Sequence, residues 1–129
     1  MQVRDVLGPE GLFAKRPGYT HRPSQLAMAE IVAKLIEGEG VAVVEAGTGT
    51  GKTLAYLVPA ILSGARVVVS TGTRALQDQI MTHDLPLLEH VLGKRLDVAC
   101  LKGLANYLCL RRYDELKRSA RATDGSLVR

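Results

Sequence analysis

Residues 43 to 59 read Val-Val-Glu-Ala-Gly-Thr-Gly-Thr-Gly-Lys-Thr-Leu-Ala-Tyr-Leu-Val-Pro, and no other stretch restricts the fold of this chain as tightly. Val41–Glu45 is a short apolar run rich in valine, the pattern of a strand buried on both faces. Lys52–Leu62 carries apolar residues at helical spacing, with a bend expected at Pro59, which has no N–H to donate. Between them lie Ala46, Gly47, Thr48, Gly49, Thr50, Gly51, Lys52 and Thr53, the phosphate-loop pattern with Ala in place of the first Gly. Each part has a chemical reason. Glycines let consecutive backbone N–H groups turn inward around an anion, because no Cβ blocks the curl. The loop opens onto a helix N-terminus, whose unpaired N–H groups favour phosphate. Lys52 is a mobile point charge able to follow the β- and γ-phosphates of a nucleoside triphosphate. Thr53 offers a hydroxyl to Mg²⁺. The competing reading is a Gly/Thr-rich turn that holds no ligand.

The remainder of the chain alternates in the same way. Residues 1–22 read as an irregular segment, with Gly8-Pro9, Pro17-Gly18 and Arg22-Pro23 as turn signals. From Pro23, the residues Met28, Ile31, Val32, Leu35 and Ile36 recur at helical spacing, and Gly38 suits the end of that helix. Arg66–Ser70 reads as a second buried strand and Leu96–Leu101 as a weaker third. A helix is expected over Thr73–Leu92, in two pieces broken near Asp84-Leu85-Pro86, and a charged one over Asn106–Ala120. From Arg121 the sequence reads as a frayed end. Strand alternating with helix implies an α/β fold, a parallel sheet flanked by helices and joined by right-handed crossovers.

At 129 residues, 47% of them hydrophobic, the chain has one domain's length and enough apolar side chains for a core. Trp is absent and aromatics are 4%, so that core is aliphatic. No apolar run is long enough to span a membrane, and the first residues lack a signal-peptide pattern, so no membrane role and a cytoplasmic location are expected. Two cysteines, Cys100 and Cys109, are too few for a disulfide scaffold and match no zinc spacing. Charge is uneven: residues 1–93 carry eight Lys/Arg against nine acids, residues 94–129 nine against four. The basic last third suits a polyanionic partner, or equally a solvated helix rich in Arg and Lys.

Gln25 stands 27 residues before Lys52, in the first turn of the helix that precedes the loop. A glutamine there is ordinarily solvated or capping, but its amide also offers a donor and an acceptor side by side, as adenine N6 and N7 require. Thr71, Gly72, Thr73 and Arg74 follow the second valine run, at the edge where open parallel sheets bind ligands. Their hydroxyls and backbone N–H groups suit phosphodiester oxygens; a helix cap by Thr71 or Thr73 is the plainer reading and does not exclude the other. Cys109, a lone cysteine in a helical stretch, reads by itself as a small packed hydrophobe.

Taken in order, "RPSQ", "EAGTGTGKTLAYLVPAI", "VVVSTGTRALQDQI" and "LKGLANYLC" resemble the start of the bacterial DinG/YoaA helicases, relatives of XPD in helicase superfamily 2. The resemblance covers most of residues 17–113. It implies a partial RecA-like ATP-binding domain over 23–101 and the start of an iron–sulfur region over 102–129. By the same resemblance Gln25 reads adenine, Ala46–Thr53 is motif I, and Ser70–Gln79 is motif Ia, which touches single-stranded DNA. Cys109 then matches the first of four ligands to a [4Fe–4S] cluster, which forms only in a complete protein. By the same resemblance the family unwinds duplexes 5′ to 3′, acting on damaged or structured DNA with single-stranded or forked DNA as its partner, driven by ATP and Mg²⁺. One departure is Leu104, where relatives often carry a basic or polar residue.

Hydrolysis needs a further acid to hold Mg²⁺ and orient water, usually an Asp-Glu pair ending a buried strand. No such pair follows an apolar run here; Asp114-Glu115 follows Arg111-Arg112-Tyr113. The chain is therefore expected to be the N-terminal portion of such a helicase, incomplete and inactive alone. The alternatives are a non-catalytic module binding nucleotide or single-stranded nucleic acid, a decayed remnant, and a phosphate-loop enzyme such as a small-molecule kinase. Oligomeric state is not encoded in any motif.

Overall fold

The computed structural model describes residues 1–38 and 40–123, with the side chains of 120–123 left aside. It is built from helices. Val3–Leu7 forms a short α1, and Pro23–Glu37 forms α2, with Pro23 in its first turn, where a missing N–H costs nothing. Gly38 ends α2 as its spacing predicts, donating its N–H to the Lys34 carbonyl at 3.0 Å. Lys52–Ser63 forms α3, which runs through Pro59 and buries it, between left-handed glycines, Gly51 and Gly64.

Arg74–Gln79 forms α4 and Leu85–Leu92 forms α5. The break expected near Asp84-Leu85-Pro86 is instead a π-helical turn, Ile80–Asp84, that joins them. The Leu85 N–H reaches back to the Ile80 carbonyl, and the widened turn lets Pro86 enter α5 where its lack of an N–H is harmless. Asp84 is buried in this turn; its carboxylate accepts from Gln79 Nε2 at 3.2 Å and lies 3.1 Å from His83 Nδ1.

The parallel sheet is not seen among the described residues. Val41–Glu45, Arg66–Ser70 and Leu96–Leu101 form no strand ladder, and the valines meant to be buried face solvent: Val43 is 96% exposed and Val68 90%. The reason is physical. A strand exists only through a neighbour's N–H and C=O groups, and these three runs do not pair with one another.

The core is where helices meet. Val3, Val6, Leu7 and Phe13 from the N-terminal segment pack with Leu26 and Ala29 of α2, Ala55, Leu57 and Val58 of α3, and Ile80, Leu85 and Leu88 further on. The main packing is α2 on α3. Thus residues 1–22, irregular by sequence, contain both a helix and the largest fully buried side chain, Phe13.

This core belongs to a unit spanning Met1–Val98; a second unit begins at Ala99. In the second, a 3₁₀ turn at Leu104–Asn106 precedes Leu110–Thr123, which forms α6. The helix expected from Asn106 starts later because Asn106 closes a turn: its N–H and its side-chain Nδ2 both donate to the Gly103 carbonyl. Helix α6 continues past Arg121, and residues 124–129 of the expected frayed end lie outside the described residues.

Candidate nucleotide-binding site

The loop Ala46–Thr53 takes its shape from glycine. Gly49 has φ +75° and Gly51 has φ +80°, a left-handed backbone that strains any residue with a Cβ. At Gly47 and Gly49 a Cβ would meet nothing within 4 Å, so their backbone borders open space. Gly51 caps α3, whose first-turn N–H groups lack helical acceptors and face the loop. The result is glycine backbone bordering open space at a helix N-terminus, a setting that attracts anions.

Lys52 lies over this loop. Its Nζ donates to the Ala46 carbonyl at 2.7 Å and the Gly47 carbonyl at 2.6 Å. An ammonium has three N–H donors, so one is left for an entering anion, which also competes for the other two. Thr50 Oγ1 donates to the same Gly47 carbonyl at 2.9 Å. Thr48 is exposed and Thr53 half-buried at the start of α3. Beside Thr53 stands Tyr56, whose phenol burial pushes above its ordinary 10.0; the Thr53 hydrogen bond opposes this and the Asp84 charge adds to it.

Gln25 is 4% exposed, and both ends of its amide are engaged. Nε2 donates to the Gly51 carbonyl at 2.9 Å, and Oε1 accepts from the Tyr19 hydroxyl at 3.0 Å. The amide orientation follows from chemistry: a carbonyl can only accept, so nitrogen must face Gly51 and oxygen Tyr19. A Cβ on Gly51 would collide with that Nε2, a second reason for glycine there. Next to it, the Arg22 Nη1 donates to the Gly49 carbonyl at 2.7 Å.

This group of side chains is held from the N-terminal segment. His21 Nδ1 lies 3.0 Å from the Leu7 carbonyl and donates to it, tying the segment to the end of α1. Tyr19 packs on Phe13, ring centroids 5.3 Å apart. Burial raises the Tyr19 phenol above 10.0, and the neighbouring Arg22 charge partly opposes the rise. Tyr19 is not singled out by the sequence, and Arg22 enters there only as a turn signal and the first residue of "RPSQ". Their signal was adjacency to Gln25, but only the fold shows which way they point.

Thr71–Arg74 lies at the start of α4. The Thr73 hydroxyl accepts from the Leu76 N–H at 3.3 Å, a helix cap, and Thr71 Oγ1 donates to the Thr73 carbonyl at 3.2 Å. Both hydroxyls therefore serve the helix start. At Gly72 a Cβ would meet nothing within 4 Å, and Arg74 is exposed. Cys109 is exposed at the head of α6, where its carbonyl accepts from the Tyr113 N–H at 2.9 Å, and Cys100 is half-buried. Among the described residues no three His, Cys, Asp or Glu side chains gather as a metal site. A four-thiolate cluster does not fit the described residues.

Sequence comparison supplies the family. The DEAD/DEAH box helicase family model matches residues 23–122, and the chain belongs to that family. It is 48% identical over 116 residues to a protein named ATP-dependent DNA helicase YoaA of Haemophilus influenzae, covering 89% of this chain and 18% of the relative. Identity to the Escherichia coli protein of that name is also 48%, over 88% of this chain and 18% of the relative. To the ATP-dependent helicase DinG of Mycobacterium tuberculosis it is 48%, over 83% and 17%. The chain thus spans under a fifth of the length of these relatives. No solved structure matches it. No helix among the described residues is long and apolar enough to cross a membrane.

Proposed function

We propose that this chain binds ATP with Mg²⁺ at Ala46–Thr53 and is the nucleotide-binding part of an ATP-driven DNA helicase of the DinG/YoaA kind. The observation that carries the reading is the loop: glycine backbone bordering open space at the head of α3, with the Lys52 ammonium 2.6–2.7 Å from its first two carbonyls. Residues and ligand fit, because backbone N–H groups, a helix N-terminus and one mobile cation are what a triphosphate needs. Bound Mg²⁺ would neutralise charge on the phosphate oxygens, with the Thr53 hydroxyl as its protein-side ligand. Lys52 would swing from the Ala46 and Gly47 carbonyls toward the terminal phosphates. Gln25 is assigned to adenine; to read N6 and N7 its amide would exchange Tyr19 and Gly51 for the base edge.

The DNA-facing part of the proposal rests on Thr71, Gly72, Thr73 and Arg74, where exposed backbone at a helix start suits single-strand phosphates. Relatives named as DNA helicases support it. The RecA-like parallel sheet belongs to the same proposal: both faces of the valine runs are apolar, and the relatives' much greater length supplies room for partner strands. An iron–sulfur role for Cys109 rests on family resemblance alone, since two cysteines cannot supply four thiolates.

A second reading is a binding module without turnover. One experiment covers both. Titration calorimetry of the 129-residue chain with Mg–ATP is expected to show binding that Lys52→Ala abolishes, with no ATPase turnover when single-stranded DNA is added. Equal heats from parent and variant would overturn the nucleotide site, and turnover would overturn the binding-only state of this chain.

A further inference from the structure

A loop that turns its N–H groups inward to a phosphate must turn carbonyls outward, where water or protein donors can take them. In this chain the donors can be named. The Ala46 carbonyl takes Lys52 Nζ, and Gly47 takes Lys52 Nζ and the Thr50 hydroxyl. The Gly49 carbonyl takes Arg22 Nη1 at 2.7 Å, and Gly51 takes Gln25 Nε2 and the Ala55 N–H. Two of these donors cannot serve as fixed supports. Lys52 is the cation that a phosphate draws away, and Gln25 is the group assigned to adenine. Arg22 has neither duty.

We infer that Arg22 is a positioning residue for the phosphate loop: its guanidinium holds the Gly49 carbonyl outward, so that the loop keeps its anion-binding curl before nucleotide arrives. The geometry supports a clamp rather than a chance surface contact. Arg22 immediately precedes α2 and is anchored on both sides, by Pro23 in the first helical turn and by His21, whose ring donates to the Leu7 carbonyl. The same guanidinium lies 3.4 Å from where a Cβ on Gly51 would stand, so it spans both left-handed glycines of the loop. Bonds from a cationic donor to a neutral carbonyl are stronger than neutral ones, and an Arg fork is pre-organised. This inference rests on the nucleotide-binding reading for its purpose but not for its test.

The test is hydrogen–deuterium exchange of the nucleotide-free chain, paired with Mg–ATP titration, for parent, Arg22→Ala and Arg22→Lys. Losing one charge-assisted hydrogen bond at an exposed position is expected to raise exchange of the 47–51 amides about tenfold and to weaken Mg–ATP binding by a similar factor. Exchange in the α2 and α3 cores should stay unchanged, and Arg22→Lys should restore most of both effects. Unchanged loop exchange in Arg22→Ala would overturn the inference. So would weakened affinity without faster loop exchange, because Arg22 would then act on the nucleotide itself. A parent chain that binds no nucleotide would sink the proposed function, yet its loop exchange would still judge the clamp.

Discussion

At the scale of single residues, the site depends on where polar groups find partners. Tyr19 shows how one hydroxyl sets the rest: by donating to Gln25 Oε1 it fixes the amide so that nitrogen faces the Gly51 carbonyl. That donation requires the neutral phenol, and burial raises the pKa of Tyr19, and likewise of Tyr56, above 10.0. A group whose folded pKa lies above its unfolded value contributes stability that is complete below the unfolded pKa and is lost as pH rises through the folded one. Urea denaturation is therefore expected to show the parent losing stability above pH 10, and the double variant Tyr19→Phe/Tyr56→Phe losing less over the same interval. Parallel pH profiles would contradict the stated role of burial. Lys52 and the glycines stand out in the sequence because a phosphate loop would need those residue types in that order. Arg22 does not, because an arginine before a proline has no chemistry until its guanidinium is placed against a particular carbonyl.

Elements were read best where a helix carries its own boundary chemistry. Pro23 and Gly38 bound α2 as their positions suggested, and glycines bracket α3. Thr73 caps α4 through its hydroxyl. Replacing such a cap typically costs about 1 kcal/mol, so Thr73→Ala is expected to destabilise the chain by that order and to speed amide exchange first at Leu76. A variant with unchanged exchange there would show that the cap is not formed in solution. The π-helical turn at Ile80–Asp84 escaped the sequence reading because Pro86 signals a problem for the backbone without specifying its solution. A break and a widened turn both satisfy proline; the buried Asp84, holding Gln79 and facing His83, accompanies the second. The valine runs form no ladder among the described residues for a different reason, since β-structure takes its hydrogen bonds from elsewhere in the chain while a helix closes its own.

Across the whole molecule, the unexpected contributor is the N-terminal segment. Val6, Leu7 and Phe13 are almost fully buried, while the valine runs that read as core are open to solvent. Two substitutions separate these contributions. Leu7→Ala is expected to destabilise by about 2–5 kcal/mol, as for a fully buried leucine, whereas Val43→Ser should change stability by no more than about 0.5 kcal/mol. Urea midpoints of the two variants check this, and a large loss from Val43→Ser would mean that a sheet does form. The first effect is large against the roughly 5–15 kcal/mol of a typical domain. The same segment reaches the Ala46–Thr53 loop, because α1 holds His21 and Phe13 packs on Tyr19, which bonds Gln25.

The sequence by itself determined the Gly/Thr-rich pattern ahead of Lys52, the ends of α2, the helical course of α3 and the family to which the chain belongs, since each of these is written in neighbouring residues. Tertiary structure alone decided that residues 1–22 build core, that Gln25 and Arg22 grip the loop from behind, and that the valine runs remain without ladders. The physical difference is range. Loop curl and helix caps are satisfied by groups a few residues away, whereas burial, long-range hydrogen bonds and strand pairing depend on partners whose positions only the folded chain supplies.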